Sequence, residues 1–202
     1  IKIMYIIFYG PEGSGKSTQA KLLSEKLNLP YLGSGDLVRK YADEDKGIMG
    51  DVCRESLSIG HYVADSEMFV LWKNRLKESD AQEGWVIDGF PRNDSQAKFL
   101  DNKLDKYGKK ITAVFYIKVS GQESIKRLLK RKRHSPDGSL HDSEEKIKER
   151  LKIYAKGEAG VLQLYKKKGI LQEINGERSI EEIHQDILER IKSPKKEKLH
   201  ET

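Results

Sequence analysis

Residues 10–18 read Gly10-Pro11-Glu12-Gly13-Ser14-Gly15-Lys16-Ser17-Thr18, a complete match to the pattern G-x-x-x-x-G-K followed by Ser or Thr. Its flanks constrain the fold further. The preceding run, residues 1–9, is rich in β-branched and aromatic side chains, which predicts a strand buried on both faces. Behind the motif, Ala20, Leu22, Leu23 and Leu27 recur at helical spacing. Strand, glycine-rich turn and helix in that order aim successive backbone N–H groups at one point, with the positive end of a helix behind them. Such a turn cradles phosphate: Gly13, Ser14, Gly15 and Thr18 line the cradle, Lys16 reaches the outer phosphates of a nucleoside triphosphate, and Ser17 ligates magnesium. The alternative is a plain strand-to-helix turn with a solvated lysine.

Four more short apolar runs, at 29–32, 85–87, 113–117 and 170–174, alternate with stretches of helical period. Alternation of this kind predicts an α/β fold with a parallel sheet, because parallel neighbours need a crossover and a helix supplies one. Ligands then bind at the carboxyl ends of the strands. At 202 residues the chain suits one domain, which we place at 1–192. Residues 34–63, broken by Gly47, Gly50 and Gly60, read as a small helical insertion, and 132–142, around Pro136-Asp137-Gly138, as a short lid. Residues 193–202 read as a frayed tail. Ser179 with Glu182, and Asp142 with Glu145, have the spacing of helix-capping boxes.

Lys and Arg number 38 against 32 Asp and Glu, a net charge of +6 that suits an anionic partner. A single cysteine, Cys53, excludes an intrachain disulfide and any multi-cysteine zinc site, and points to a reducing compartment. The apolar opening is shorter than the roughly 20 residues of a membrane-spanning helix. No small-residue cleavage site follows it, so the expected address is the cytoplasm.

Four stretches, in order, carry a resemblance to a known family. They are the residues from Gly10 to Gln19, then Ser34-Gly35-Asp36-Leu37-Val38-Arg39, then Asp88-Gly89-Phe90-Pro91-Arg92-Asn93-Asp94-Ser95-Gln96-Ala97, and Arg127-Leu128-Leu129-Lys130-Arg131. With Arg150 and Asn175-Gly176-Glu177 added, the chain resembles the adenylate kinases of the nucleoside monophosphate kinase family over nearly everything before the tail. The resemblance implies a P-loop NTPase-type three-layer α/β/α fold with a five-stranded parallel sheet. It also implies reversible, magnesium-dependent phosphoryl transfer from ATP to AMP, giving two ADP. Elementary electrostatics makes a matching demand: bringing two anionic nucleotides together needs several fixed cations, whereas a phosphate acceptor needs no general base.

The resemblance assigns roles. Lys16, Arg92, Arg131 and Arg150 would act on the transferred group, and Arg127 would lie over the donor adenine, which backbone near Gly176 and Arg178 also grips. Arg39 and Arg92 would hold the acceptor phosphate, within an acceptor site that also takes in Ser34, Val63, Gly89, Phe90, Gln96 and Arg150. Asp88, ending an apolar run, would orient magnesium through water. Gln96 favours AMP, since its amide offers both a donor and an acceptor to an adenine edge, and Ser34 points the same way; otherwise Ser34 is simply a helix cap. The basic run 126–133 could instead be a solvated face or a nucleic-acid patch, but no aromatic residues interleave it, which disfavours nucleic acid.

The lid departs from the family pattern. Ser139 stands where an arginine is expected and His141 where an acid is. The alternatives are therefore a UMP/CMP kinase of the same family, or a catalytically weak adenine-nucleotide sensor. The lid is too short for the zinc-capable form, so no structural zinc is expected. A monomer is favoured.

Overall fold

The computed structural model describes residues 3–132, 138 and 142–192. Most of the expected lid, including Ser139 and His141, and the expected tail lie outside the described residues. The elements run β1 (Tyr5–Tyr9), α1 (Lys16–Leu27), β2 (Tyr31–Gly33), α2 (Ser34–Glu44), α3 (Ile48–Ile59), α4 (Asp65–Arg75), β3 (Trp85–Asp88) and α5 (Asp94–Asp105). There follow β4 (Ala113–Lys118), α6 (Gly121–Arg131), α7 (Glu144–Lys167), β5 (Leu171–Asn175) and α8 (Ile180–Lys192). Each apolar run expected to be a strand became one, within a residue or two except for the longer first run.

All five strands are parallel, in the order β2-β3-β1-β4-β5. Strand β1 is therefore central and buried along its whole length. Its alternate side chains feed two separate cores, as the period of two in a strand requires. Tyr5, Ile7 and Tyr9 join Trp72, Leu100, Val161 and Tyr165 from α4, α5 and α7. Met4, Ile6 and Phe8 join Ala20, Leu23, Ile183 and Ile187 from α1 and α8. Helices thus cover both faces of the sheet, the three-layer α/β/α arrangement expected.

Register decides where the chemistry sits. Phe8 pairs with Asp88 and Phe115, and Gly33 pairs with Asp88. The carboxyl ends of β1, β2 and β3 therefore finish level, beside the loop that follows β1. The first expected capping box forms: Ser179 N–H donates to Glu182 Oε2 at 2.9 Å, and Glu182 N–H donates to Ser179 Oγ at 3.2 Å. The second does not. Ser143 caps α7, accepting from Lys146 N–H, because the Asp142 carboxylate is drawn inward to two arginines.

Candidate active site

The loop from Gly10 to Gly15 is crowded by neighbouring segments: a Cβ at Gly10 would lie 2.5 Å from the Ile117 carbonyl oxygen on β4. At Gly13, φ is +81°, and a Cβ there would lie 2.8 Å from the Ser124 carbonyl oxygen on α6, so only glycine fits. Helix α1 starts at Gly15 without a side-chain cap and without an acid in its first turn. Asn93, Ser120 and Ser143, by contrast, cap α5, α6 and α7. Apart from Lys16 N–H, which meets Ser14 Oγ at 3.4 Å, the first-turn N–H groups of α1 have no side-chain partner among the described residues, which is what an anion needs.

Above this loop lies a cleft of 520 Å³ at the carboxyl ends of the strands. Gly13, Gly15, Lys16, Ser17 and Thr18 line it. Ser14 does not: its side chain is buried and its N–H is committed to the Pro11 carbonyl at 3.2 Å. Lys16 is partly buried, with its ammonium 3.2 Å from the Pro11 carbonyl oxygen. Burial pushes its pKa below the ordinary lysine value; Asp88 and Glu12 oppose that shift, and the charges of Arg92 and Arg131 add to it.

Asp88 sits at the end of β3, almost fully buried. Its Oδ2 accepts from Ser17 Oγ at 2.5 Å and from the Tyr31 hydroxyl at 3.0 Å. Its Oδ1 is buried with no hydrogen-bond partner among the described residues. An unsatisfied carboxylate oxygen beside a serine hydroxyl is a hard-oxygen corner of the kind magnesium takes.

The arginines reach the cleft from four segments. Arg39, half-exposed on α2, pairs with Asp36 at 2.6 Å. Arg92 follows β3; its Nε donates to the Gly89 carbonyl at 2.9 Å, and its guanidinium lies 3.7 Å from the centre of the Tyr62 ring. Arg127 and Arg131, four apart on α6, both line the cleft but hold different partners. Arg127 straps α6 to the loop, donating to the Gly13 and Ser14 carbonyls at 3.4 Å and to Gly176 at 3.0 Å. Arg131 grips Asp142 with two nitrogens at 2.8 and 3.0 Å. Arg150, only 3% exposed on α7, reaches Asp142 at 2.9 Å and Glu12 at 3.0 Å.

The expected acceptor side is assembled around Gly89, whose φ of +76° lets the chain turn close to Ser34. Ser34 is buried at the first turn of α2, and Gly33 rather than Ser34 occupies the cap position. Val63 and Gln96 line the cleft beside it. The Gln96 amide is already oriented, its Oε1 accepting from Arg92 N–H at 2.8 Å and its Nε2 donating to Asp65 at 2.7 Å. One lone pair and one N–H stay available for a ligand edge.

Besides Ser14, two expected site residues are not brought into the cleft. Phe90 is 1% exposed and stacks on Trp72 at 4.7 Å, so its ring is core, not cleft wall. Arg178 turns onto α8, where it pairs with Asp186. In both cases the backbone passes the site while the side chain follows a stronger local partner. Sequence reading missed Glu12, Tyr31, Tyr62 and Asp65. Glu12, Tyr31 and Tyr62 stood inside segments already singled out, at positions where no pattern specifies them.

Such a site, built at the strand ends of a P-loop α/β fold and ringed by arginines, defines a protein that handles more than one phosphate group. A family model described as "Adenylate kinase" matches residues 8–170. An adenylate kinase of Archaeoglobus fulgidus is 33% identical over 94% of this chain and 100% of its own length. One from Leptospira biflexa is 38% identical over 92% and 98%, and one from Thermobifida fusca 36% over 94% and 99%. The chain belongs to the adenylate kinase family. It is accordingly a nucleoside monophosphate kinase, a phosphotransferase that binds adenine nucleotides. No helix among the described residues is long and apolar enough to cross a membrane.

Proposed function

We propose that the protein catalyses reversible, magnesium-dependent transfer of the terminal phosphoryl group of ATP to AMP, giving two ADP. The observation that carries this reading is the convergence of Lys16, Arg92, Arg131 and Arg150 on one cleft that also contains the Ser17–Asp88 corner. In the reaction, an oxygen of the AMP phosphate forms the new P–O bond. The bridging oxygen of ATP leaves with the electron pair of the bond that breaks. Negative charge develops on the leaving oxygen and is spread over the equatorial oxygens of the group in transit, and fixed cations in a partly dry cleft stabilise it without reorganising.

The loop N–H groups and Lys16 hold the donor phosphates, and Arg127 lies along the donor side, tied to both the loop and Gly176. Arg39 and Arg92 take the acceptor phosphate, Arg131 and Arg150 the group in transit. Ser17 would ligate magnesium, and Asp88 would orient its water. That ion supplies charge neutralisation on the donor phosphates. Ser34 and Val63, at the two ends of an insertion spanning 34–63 that folds over AMP, form the acceptor pocket together with Gln96 of α5. One acceptor and one donor position on the Gln96 amide match an adenine edge, and the resemblance favours AMP as the acceptor.

The decisive experiment is an initial-rate panel with purified protein, ATP and magnesium against AMP, CMP, UMP and GMP. We expect AMP to be preferred and Arg92→Ala to abolish turnover. Preference for CMP or UMP would overturn the acceptor assignment. Tight nucleotide binding without turnover would make the protein a sensor.

A further inference from the structure

One group at the centre of the cleft has a charge opposite to what phosphate binding wants. Glu12 lies in the phosphate loop itself, four residues before Lys16, with its side chain 19% exposed. Its two carboxylate oxygens face different parts of the molecule. Oε2 accepts from Arg150 Nε on α7 at 3.0 Å, while Oε1 accepts from the Tyr62 hydroxyl, in the segment between α3 and α4, at 3.0 Å. The same Tyr62 ring carries the Arg92 guanidinium at 3.7 Å. One carboxylate thus ties together the loop, the acceptor side and α7, amid cations that the proposed reaction needs for phosphate.

We propose that Glu12 is an internal counter-anion, pairing with phosphate-binding cations of the cleft and thereby weakening nucleotide binding and speeding its release. This rests on the nucleotide reading above. A phosphate arriving at Arg150 must displace the carboxylate or lie beside it, and either course costs free energy: a lost buried ion pair in the first, like-charge repulsion in a low-dielectric site in the second. Asp142 differs. It is buried behind Arg131 and Arg150 and orients both, whereas Glu12 stands on the loop that phosphate must occupy.

The carboxylate is charged at neutral pH. Burial alone would raise its pKa, but the charges of Arg150, Lys16 and Arg92 and the Tyr62 hydrogen bond hold it at about 2. Burial also keeps the Tyr62 phenol protonated, with a pKa well above the ordinary tyrosine value, so it remains a donor.

The test compares ADP binding by calorimetry, and ADP release by stopped flow, in wild type and Glu12→Gln. We expect ADP to bind about tenfold tighter to Glu12→Gln, about 1.4 kcal/mol, with slower release. We also expect ADP to raise the melting temperature of the variant more than that of wild type. A merely structural role would lower both melting curves alike. Unchanged or weaker ADP binding by the variant, with wild type binding normally, overturns this inference alone; wild type that fails to bind ADP overturns the nucleotide reading and this inference with it. Should Glu12→Gln fail to fold, Tyr62→Phe keeps the charge and the ring but loosens the carboxylate. It should bind ADP about threefold tighter, and unchanged or weaker binding refutes the proposal.

Discussion

The floor and the roof of the cleft are held by different forces. The floor comprises Lys16, Ser17 and Asp88, set by the ends of β1 and β3 and by a loop whose glycine conformation admits no alternative. The roof comprises Arg131 and Arg150, held by the carboxylates of Asp142 and Glu12. Backbone register positions the first set and electrostatic pairing the second. The floor is therefore ready for phosphate as it stands, while at Glu12 the roof meets an anion that phosphate must compete with.

Breaking the floor should cost most. Lys16→Met removes the cation of the phosphate loop itself, and we expect kcat/KM for ATP and AMP to fall by about 10³ or more. A smaller loss, measured by initial rates, would mean that the roof carries the reaction. Asp142→Asn attacks the roof. With two arginines deprived of a buried partner charge, unfolding free energy in urea should drop by roughly 3 kcal/mol. Turnover should fall about tenfold, and a stable, fully active variant would show that the roof arginines need no anchor.

Acid titration separates the two regions more finely. Because the folded pKa of Glu12, about 2, lies below its ordinary value of 4.5, its contribution to stability is present above pH 4.5 and lost as pH falls toward 2. The full contribution is roughly 3 kcal/mol by linkage. Glu12→Gln should therefore be less stable than wild type at neutral pH, with a shallower decline between pH 4.5 and 2 in denaturant titrations. Equal slopes would remove Glu12 from the charge balance of the roof. The smallest effect is expected on the acceptor side, where Gln96→Ala deletes one amide contact: KM for AMP should rise about tenfold with kcat changed less. A fall confined to kcat would place Gln96 in transition-state binding instead.

The floor was legible in the amino-acid sequence and the roof only in part. Strands announced themselves as apolar runs because β1 and its neighbours are buried on both faces, and the phosphate loop because its glycines answer a steric demand of the backbone. The arginines of the roof could be named, but not their partners. Arg150 and Glu12 are 138 residues apart, and nothing in local spacing links them. Asp142 shows the same limit at short range, since its spacing to Glu145 fits a cap, while the fold offers it two guanidinium groups and leaves the cap to Ser143. Phe90 and Arg178 show the converse: they lie beside segments that carry the site, but the direction of each side chain is settled by Trp72 and Asp186.

What the sequence by itself determined is the local machinery: a parallel α/β sheet, a loop shaped for phosphate and a set of cations in a recognisable order. Each follows from periodicity, backbone sterics or residue chemistry within a few positions of chain. What only the tertiary structure decided is which charges neutralise one another across the cleft, and so that an acid inside the phosphate loop stands among the cations meant for substrate. Pairing energies fall with distance in space, not along the chain, so they become readable only once the sheet has brought distant segments together.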